Sequence, residues 1–232
     1  MIGIIVAMTV EREAIEALLE EKKVVSHYGQ DFWQGRLHGH EILLAECGLG
    51  KVASAITCAR LIEHFGCDTV INIGTAGGLS EEEEELDVVV VDRSTYHDWD
   101  EEATNGRPRG FSTNNGYIFH SDEKLLESAV KAVSEGLEGK VHIGPIVSGD
   151  GFVSDKKLVR FIKKMFPEAI ACDMESAAIG QVCTAYGVPF IIVRSLSDIV
   201  IKEGNYMDFE AYKKRASERA ALFTEKLIER LI

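Results

Sequence analysis

The chain has 232 residues, 46% apolar and 27% charged, with a formal net charge of −13. That composition belongs to a globular protein with a sizeable core and excludes a disordered chain. So acidic a balance leaves too few lysines and arginines for a nucleic-acid footprint and repels anionic lipid surfaces, whereas a neutral or cationic small molecule approaches it easily.

The opening stretch "MIGIIVAMTVERE" lacks the basic leader and long apolar run of a signal peptide. No segment reaches the roughly 18 apolar residues of a membrane span. Five cysteines, at 47, 58, 67, 172 and 183, form no C-x-x-C pair. An odd, scattered set of thiols predicts reduced, mostly buried cysteines and a cytoplasmic location.

In chain order, "IGIIVAM" over residues 2–8 predicts a buried strand, followed by a helix with Thr9 as its N-cap. "DFWQGRLHG" and "HEILLAECG" read as an antiparallel pair turning near Gly39. "KVASAITCARLIEHF" is an amphipathic helix, and "DTVINIGTAGG" is a strand running into a glycine-rich turn. "EEEEE" at 81–85 predicts a solvated surface, because like charges repel. "LDVVVVDRSTYHD" is another buried strand, and the aperiodic, polar stretch 98–118 predicts a long loop of the kind found at functional sites or interfaces.

A helix is expected over 121–135, then strand and loop in "KVHIGPIVSGDGFV", and a short amphipathic helix over 155–165. "CDMESAAIGQV" reads as the start of a helix. From Glu175, steps of three, four and seven reach Ala178, Ile179 and Val182, so a carboxylate heads an inward-facing apolar stripe. "VPFIIVRSLSDIV" contains a further strand, and 208–231 forms a closing helix. Alternating helices and wholly apolar strands indicate an α/β protein with a largely parallel sheet covered on both faces. No repeat, linker or composition shift divides the chain, which predicts one domain over 1–232.

Several familiar signatures fail. "CGLGK" lacks the P-loop pattern, with Ala45 where glycine is needed and Val52 where Ser or Thr is needed. "GTAGG" lacks the G-x-G-x-x-G order, so no dinucleotide is expected. The histidines of "LHGH" and "YHDWD" have no second cluster at a metal-ligand spacing, and no G-x-S-x-G elbow is present. No cofactor is predicted.

In an open α/β sheet, ligands collect beyond the carboxyl ends of the parallel strands. That edge should gather Met8 and Glu11; Gly74 to Gly78 with Thr75 and Gly77; Ser148 to Val153 with Phe152; Met174 and Glu175; and Arg194, Ser197 and Asp198. Each carboxylate has a plain alternative. Glu11 suits the first turn of any helix, Asp198 suits a turn, and Glu175 could pair with Arg194. Together at one edge they suggest acid–base cleavage of a glycosidic bond, which needs two carboxylates in different environments.

"IGIIVAM" with Glu11, "INIGTAGGL", "VSGDGFV", "DMESAAI" and "VRSLSD" together resemble the bacterial 5′-methylthioadenosine/S-adenosylhomocysteine nucleosidases, in the same order over nearly the whole chain. The resemblance implies a three-layer α/β/α fold with a central mixed, partly barrel-like sheet, assembled as a homodimer. It implies hydrolysis of the bond between adenine and a 5′-thio-substituted ribose. Asp198 would protonate N7 of the departing adenine, with Ser197 and Arg194 steadying its loop. Glu11 would take a proton from the attacking water, its helix N-terminus keeping it ionised. Glu175 would grip the two vicinal ribose hydroxyls, offsetting its burial. Phe152 would stack on the purine, the Val153 backbone would pair with its edge, and Met8, Met174 and Phe209 would line the sugar and 5′-thio pocket. Thr75 and Gly77 belong to the same binding set.

The chain departs from the family pattern at Val6, where glycine is usual, and at Thr9-Val10-Glu11, where three glutamates are common. Thr75 replaces serine, Asp173 replaces glutamate, and the 99–110 stretch differs most, which bears on the 5′-substituent. A phosphorylase on the same fold would need cationic phosphate holders, for which Arg12 and Lys51 are the obvious candidates. A hydrolase for aminodeoxyfutalosine would share every catalytic residue, and a non-catalytic nucleoside sensor would not need both the acid and the base.

Overall fold

A computed structural model of the protein describes residues 1–101, 106, 109–110, 118–134, 140–202 and 205–231, apart from the side chains at 133–134, 205–208 and 210–211. In chain order the elements are β1 (Ile2–Val6), α1 (Thr9–Glu16), β2 (Glu20–His27), β3 (Gln30–Leu37), β4 (His40–Glu46), α2 (Lys51–Glu63), β5 (Thr69–Gly78) and β6 (Val88–Tyr96). There follow β7 (Phe119–His120), α3 (Glu123–Ser134), β8 (Val141–Ser148), α4 (Lys156–Met165), β9 (Ala171–Asp173), α5 (Ser176–Tyr186), β10 (Phe190–Ile199) and α6 (Asn205–Ile228).

One mixed sheet runs β10-β6-β8-β9-β5-β1-β4-β3-β2, and β10 also pairs with β5. That extra pairing closes β10, β6, β8, β9 and β5 into a five-strand barrel, from which β1 to β4 extend as an open wing. Parallel pairing joins β1 to β4 and β5, and β5 to β10, while β10 meets β6 antiparallel. The sheet is therefore mixed, as the family resemblance implies, rather than largely parallel.

The wholly apolar strands arise because both faces are covered. On β1, Ile2, Ile4 and Val6 pack with Ile15 of α1, Ala129 of α3 and Phe223 of α6. Ile5 faces the other way, into a cluster with Cys58 and Leu61 of α2 and Ile179 and Cys183 of α5. Ile4 and Ile5 are fully buried, each worth about 1.5–3 kcal/mol of removed apolar surface. Helices thus lie on both sides of the sheet in three layers. Val159 and Ile162 of α4 pack with Leu79, Val147, Cys172 and Val200 in a third, smaller core. All five cysteines are free, and four are buried. No helix among the described residues is long and apolar enough to cross a membrane.

The β3–β4 hairpin forms as the sequence predicts. Leu37 pairs with His40 across His38-Gly39, whose φ angles of 47° and 83° are those of a tight two-residue turn. Other expectations need correction. Thr9 is the first helical residue of α1, Met8 occupies the cap position, and the Thr9 hydroxyl donates to Glu46 instead. The glycine-rich "GTAGG" does not turn; it is the second half of β5 and pairs with β10 as far as Gly78–Ile199. Cys172 and Asp173 belong to β9, so α5 starts one residue after Glu175. Strands β2, β7 and β9 were not expected. Within the acidic run, Glu83 is fully buried and accepts from Ser80 N at 3.0 Å, so the stretch is not a uniformly solvated surface. Most of the loop expected at 98–118 lies outside the described residues.

Candidate active site

A cavity of about 400 Å³ opens where β1, β5, β8, β9 and β10 end. All twelve residues singled out from the sequence line it: Met8, Glu11, Thr75, Gly77, Phe152, Val153, Met174, Glu175, Arg194, Ser197, Asp198 and Phe209. They come from six separated stretches of chain, five at or beyond strand ends and the sixth, Phe209, on α6.

Glu11 sits in the first turn of α1 and is 2% exposed. Its Oε2 accepts from Ala7 N at 3.0 Å and Met8 N at 2.9 Å. Its Oε1 accepts from Thr75 N at 2.9 Å and Thr75 Oγ1 at 3.3 Å. The approach to β5 is possible because Gly74 has no side chain: a Cβ there would stand 2.8 Å from Glu11 Oε1. Burial nevertheless outweighs the helix N-terminus and these donors, and the pKa of Glu11 is raised rather than held down. A buried carboxyl whose pKa is raised is a stronger proton acceptor than a solvated one.

Glu175, 6% exposed, does not pair with Arg194. It accepts from Gly50 N at 2.8 Å, a donor supplied by the loop between β4 and α2. Burial, then repulsion from Asp173, pushes its pKa up to about 8. Arg194 is committed to Asp173 instead: Nε and Nη2 reach Asp173 Oδ2 at 3.2 and 2.8 Å, and the two side chains are 2% and 3% exposed. The other guanidinium hydrogens go to the carbonyls of Asn72 and Val193, the Asn72 side chain and Ser176 Oγ. Ser148 Oγ donates to Asp173 Oδ1 and accepts from Ala177 N, and the Ser176 amide and hydroxyl also point to Asp173. A buried ion pair needs such full satisfaction to offset its desolvation.

Asp198 is 1% exposed and accepts from Ser197 Oγ at 2.8 Å. In a regular strand Ser197 and Asp198 would point to opposite faces. Here the register with β5 slips between Leu196 and Asp198, so Ser197 is the extra residue of a bulge. Bulges re-aim side chains beside active sites, and this one lets both residues line the cavity. Gly77 faces Asp198 across the ladder, and a Cβ there would stand 3.3 Å from Asp198 Oδ2 and 2.5 Å from Val200 Cγ1. Phe152 and Phe209 meet edge to face at 5.3 Å, and Met8 and Met174 complete an apolar part of the wall.

Sequence reasoning missed Asp173, Asn72 and Ser176 as the holders of Arg194, placed Ser148 at this edge without its role on Asp173, and missed Gly50 as the donor to Glu175. Asp173 carried the one usable signal, an acidic residue two positions before Glu175. Lys213 and Leu49 also line the cavity and were not singled out. Arg12 and Lys51, the candidate phosphate holders, are not among its lining residues. Arg12 binds Glu46, Glu16 and Glu13, and Lys51 Nζ binds Asp98 at 2.7 Å and Asp150 at 3.4 Å.

Five acidic side chains line this partly apolar cavity, and with Arg194 neutralised by Asp173 they suit a neutral ligand that develops positive charge. A closed five-strand barrel flanked by helices, with such a cavity at its strand ends, defines a three-layer protein of the nucleoside phosphorylase type. The model of the phosphorylase superfamily matches residues 1–229, and the chain belongs to that family. It is 36% identical over 229 residues to a 5′-methylthioadenosine/S-adenosylhomocysteine nucleosidase of Marinomonas sp. (strain MWYL1), covering 99% of this chain and 98% of that one. The nucleosidase of the same name from Neisseria meningitidis, solved with methylthio-immucillin-A, superimposes with a TM-score of 0.95 at 35% identity over 99% of each chain. The futalosine hydrolase of Helicobacter pylori strain 26695 gives a TM-score of 0.93 at 31% identity, over 99% of this chain and 97% of that one.

Proposed function

We propose that the protein hydrolyses the N-glycosidic bond of 5′-methylthioadenosine and S-adenosylhomocysteine, releasing adenine and the 5′-thioribose without a cofactor. The observation that carries this reading is that Glu11, Glu175 and Asp198, buried and drawn from three elements, line one cavity. Asp198 gives a proton to N7 of adenine as the C1′–N9 bond breaks. Water forms the new bond to C1′ and passes its proton to Glu11, which burial has made more basic. Glu175 holds the two ribose hydroxyls, accepting from one and, while it keeps the proton favoured by burial, donating to the other. Its carboxyl also lies where the sugar becomes cationic. Phe152 stacks on the purine, the Val153 backbone meets the purine edge, and Thr75 and Gly77 close the floor. Met8, Met174 and Phe209 enclose the sugar and the 5′-thio group, while Ser197 and Arg194 fix the segment bearing Asp198.

Water rather than phosphate is the acceptor because neither Arg12 nor Lys51 lines the cavity, both are spent on carboxylates, and the Arg194 guanidinium in the wall is held by Asp173. The test is adenine release from methylthioadenosine in phosphate-free buffer. Ribose 1-phosphate as product, or activity that requires added phosphate, overturns the reading. A second reading, preference for aminodeoxyfutalosine, is favoured by the likeness to the Helicobacter pylori hydrolase. A panel of 5′-substituents, ranked by kcat/KM, decides between the two.

The protein acts as one domain and as a homodimer. Leu49, in the loop before α2, and Val52 and Ile56, on α2, are exposed by 63%, 71% and 47%, and Leu49 also lines the cavity. Exposed apolar side chains of that kind beside a binding site suit a second copy of the chain. A fully active monomer by light scattering would refute the dimer. Five free thiols suit a reducing, cytoplasmic location.

A further inference from the structure

Two stretches that failed as phosphate and metal motifs, "CGLGK" at 47–51 and the "YHD" of 96–98, meet at the rim of the cavity. Lys51 is the first residue of α2. Its backbone N–H donates to Asp150 Oδ1 at 2.8 Å, so a loop distant in sequence caps this helix. Its ammonium donates to Asp98 Oδ2 at 2.7 Å and lies 3.4 Å from Asp150 Oδ2. The same Asp98 oxygen accepts from Asp150 N at 2.9 Å. Burial would lift the Asp98 carboxyl, but Lys51 and the Asp150 N–H hold it below the usual carboxylate range. On one side of this cluster, Gly50 N donates to Glu175 Oε1. On the other, Asp150 leads directly into Gly151, Phe152 and Val153 of the cavity wall. A Cβ at Gly50 would lie 3.0 Å from Asp150 Oδ1, so the two loops touch.

We infer that Lys51, Asp98 and Asp150 form an ionic clasp, with Lys51 as a positioning residue that holds the Gly50 donor of Glu175 in register with the Phe152–Val153 loop. The clasp joins the sugar-holding and purine-holding halves of the cavity, an assignment that rests on the functional reading above. It touches no reacting atom. Its loss therefore weakens ground state and transition state alike, raising KM more than it lowers kcat.

The experiment compares wild type with Lys51→Met, Lys51→Arg and Asp98→Asn. In Lys51→Met, KM for methylthioadenosine should rise at least about tenfold while kcat changes less than about threefold. Asp98→Asn should reproduce the direction, and Lys51→Arg should restore most of the loss. Amide hydrogen exchange without ligand provides a readout independent of the substrate: residues 149–153 should exchange faster in Lys51→Met than in wild type. If that exchange is unchanged in both Lys51→Met and Asp98→Asn, the clasp does not exist, whatever the enzyme acts on. If exchange accelerates but KM stays within about twofold, the clasp does not position the site. Failure of the wild type to release adenine overturns the functional reading and leaves the exchange test to decide the clasp.

Discussion

Glu175→Gln separates the proton on this residue from its shape. Glu175 is 6% exposed and has Asp173 two residues away, whose partner Arg194 is spent on Asp173. Burial first, and repulsion from Asp173 second, raise its pKa from 4.5 to about 8, against the weaker pull of the Gly50 N–H and Arg194. The folded protein therefore keeps a proton that the unfolded chain releases near its ordinary carboxylate pKa. The resulting stabilisation is fully present below pH 4.5 and is lost as the pH rises through about 8. At about 1.4 kcal/mol per pH unit, the span from the ordinary to the raised pKa amounts to about 5 kcal/mol, shared with the interacting acidic neighbours. Glutamine fills the same space and cannot ionise.

Urea unfolding of both proteins across roughly pH 5 to 9 is the assay. Wild type should lose several kcal/mol relative to Glu175→Gln over that range. Stability curves that run parallel within about 0.5 kcal/mol would refute the argument that burial holds this proton. The same titration should reach activity: kcat/KM reports the free enzyme's groups, and it should fall as Glu175 ionises. A nucleoside lacking the ribose hydroxyls should lose that part of the pH dependence.

Asp198→Asn should abolish adenine release while leaving Kd within about tenfold, because an amide still hydrogen-bonds the purine but carries no acid proton. Glu11→Gln should also be nearly inactive, since the attacking water loses its proton acceptor; substantial turnover by either variant would place the chemistry elsewhere. Gly74→Ala should cut kcat at least about tenfold by pushing the Glu11 carboxylate off Thr75, at a folding cost of about 1–3 kcal/mol. An alanine variant with normal kcat would mean that Glu11 does not need its position against β5.

Residues with both a chemical and a positional signal were legible in the sequence. Glu11, Glu175, Arg194 and Asp198 follow or flank apolar runs, and strand-end logic alone brings them to one edge. The family resemblance supplied the partly barrel-like sheet, since periodicity alone pointed to mainly parallel strands. What periodicity could not reveal was the β10–β5 pairing that closes the barrel, because pairing partners leave no local trace. Strand β2 was missed for a different reason: in "EEKKVVSH" every residue from Glu20 to Val24 is exposed, so it carries no buried alternation. β7 and β9, of two and three residues, are too short for any pattern.

The misread glycines show how local chemistry gives way to tertiary structure. Glycine clusters usually signal turns, since glycine adopts conformations other residues avoid. Gly74, Gly77 and Gly78 are instead extended strand residues whose missing side chains make room for Glu11, Asp198 with Val200, and Glu83 with Ile199. Turn and close approach look alike in a sequence, because both need glycine and only the neighbours differ. Arg194 presents the converse case. An arginine beside a buried glutamate invites pairing, but Asp173 holds the guanidinium through two nitrogens and leaves Glu175 with a backbone donor. That choice determines the electrostatics of the cavity: had Glu175 taken the arginine, its carboxyl would have been held ionised. With Arg194 neutralised by Asp173, burial can keep a proton on Glu175, and the guanidinium in the wall meets an uncharged nucleoside as a compensated ion pair.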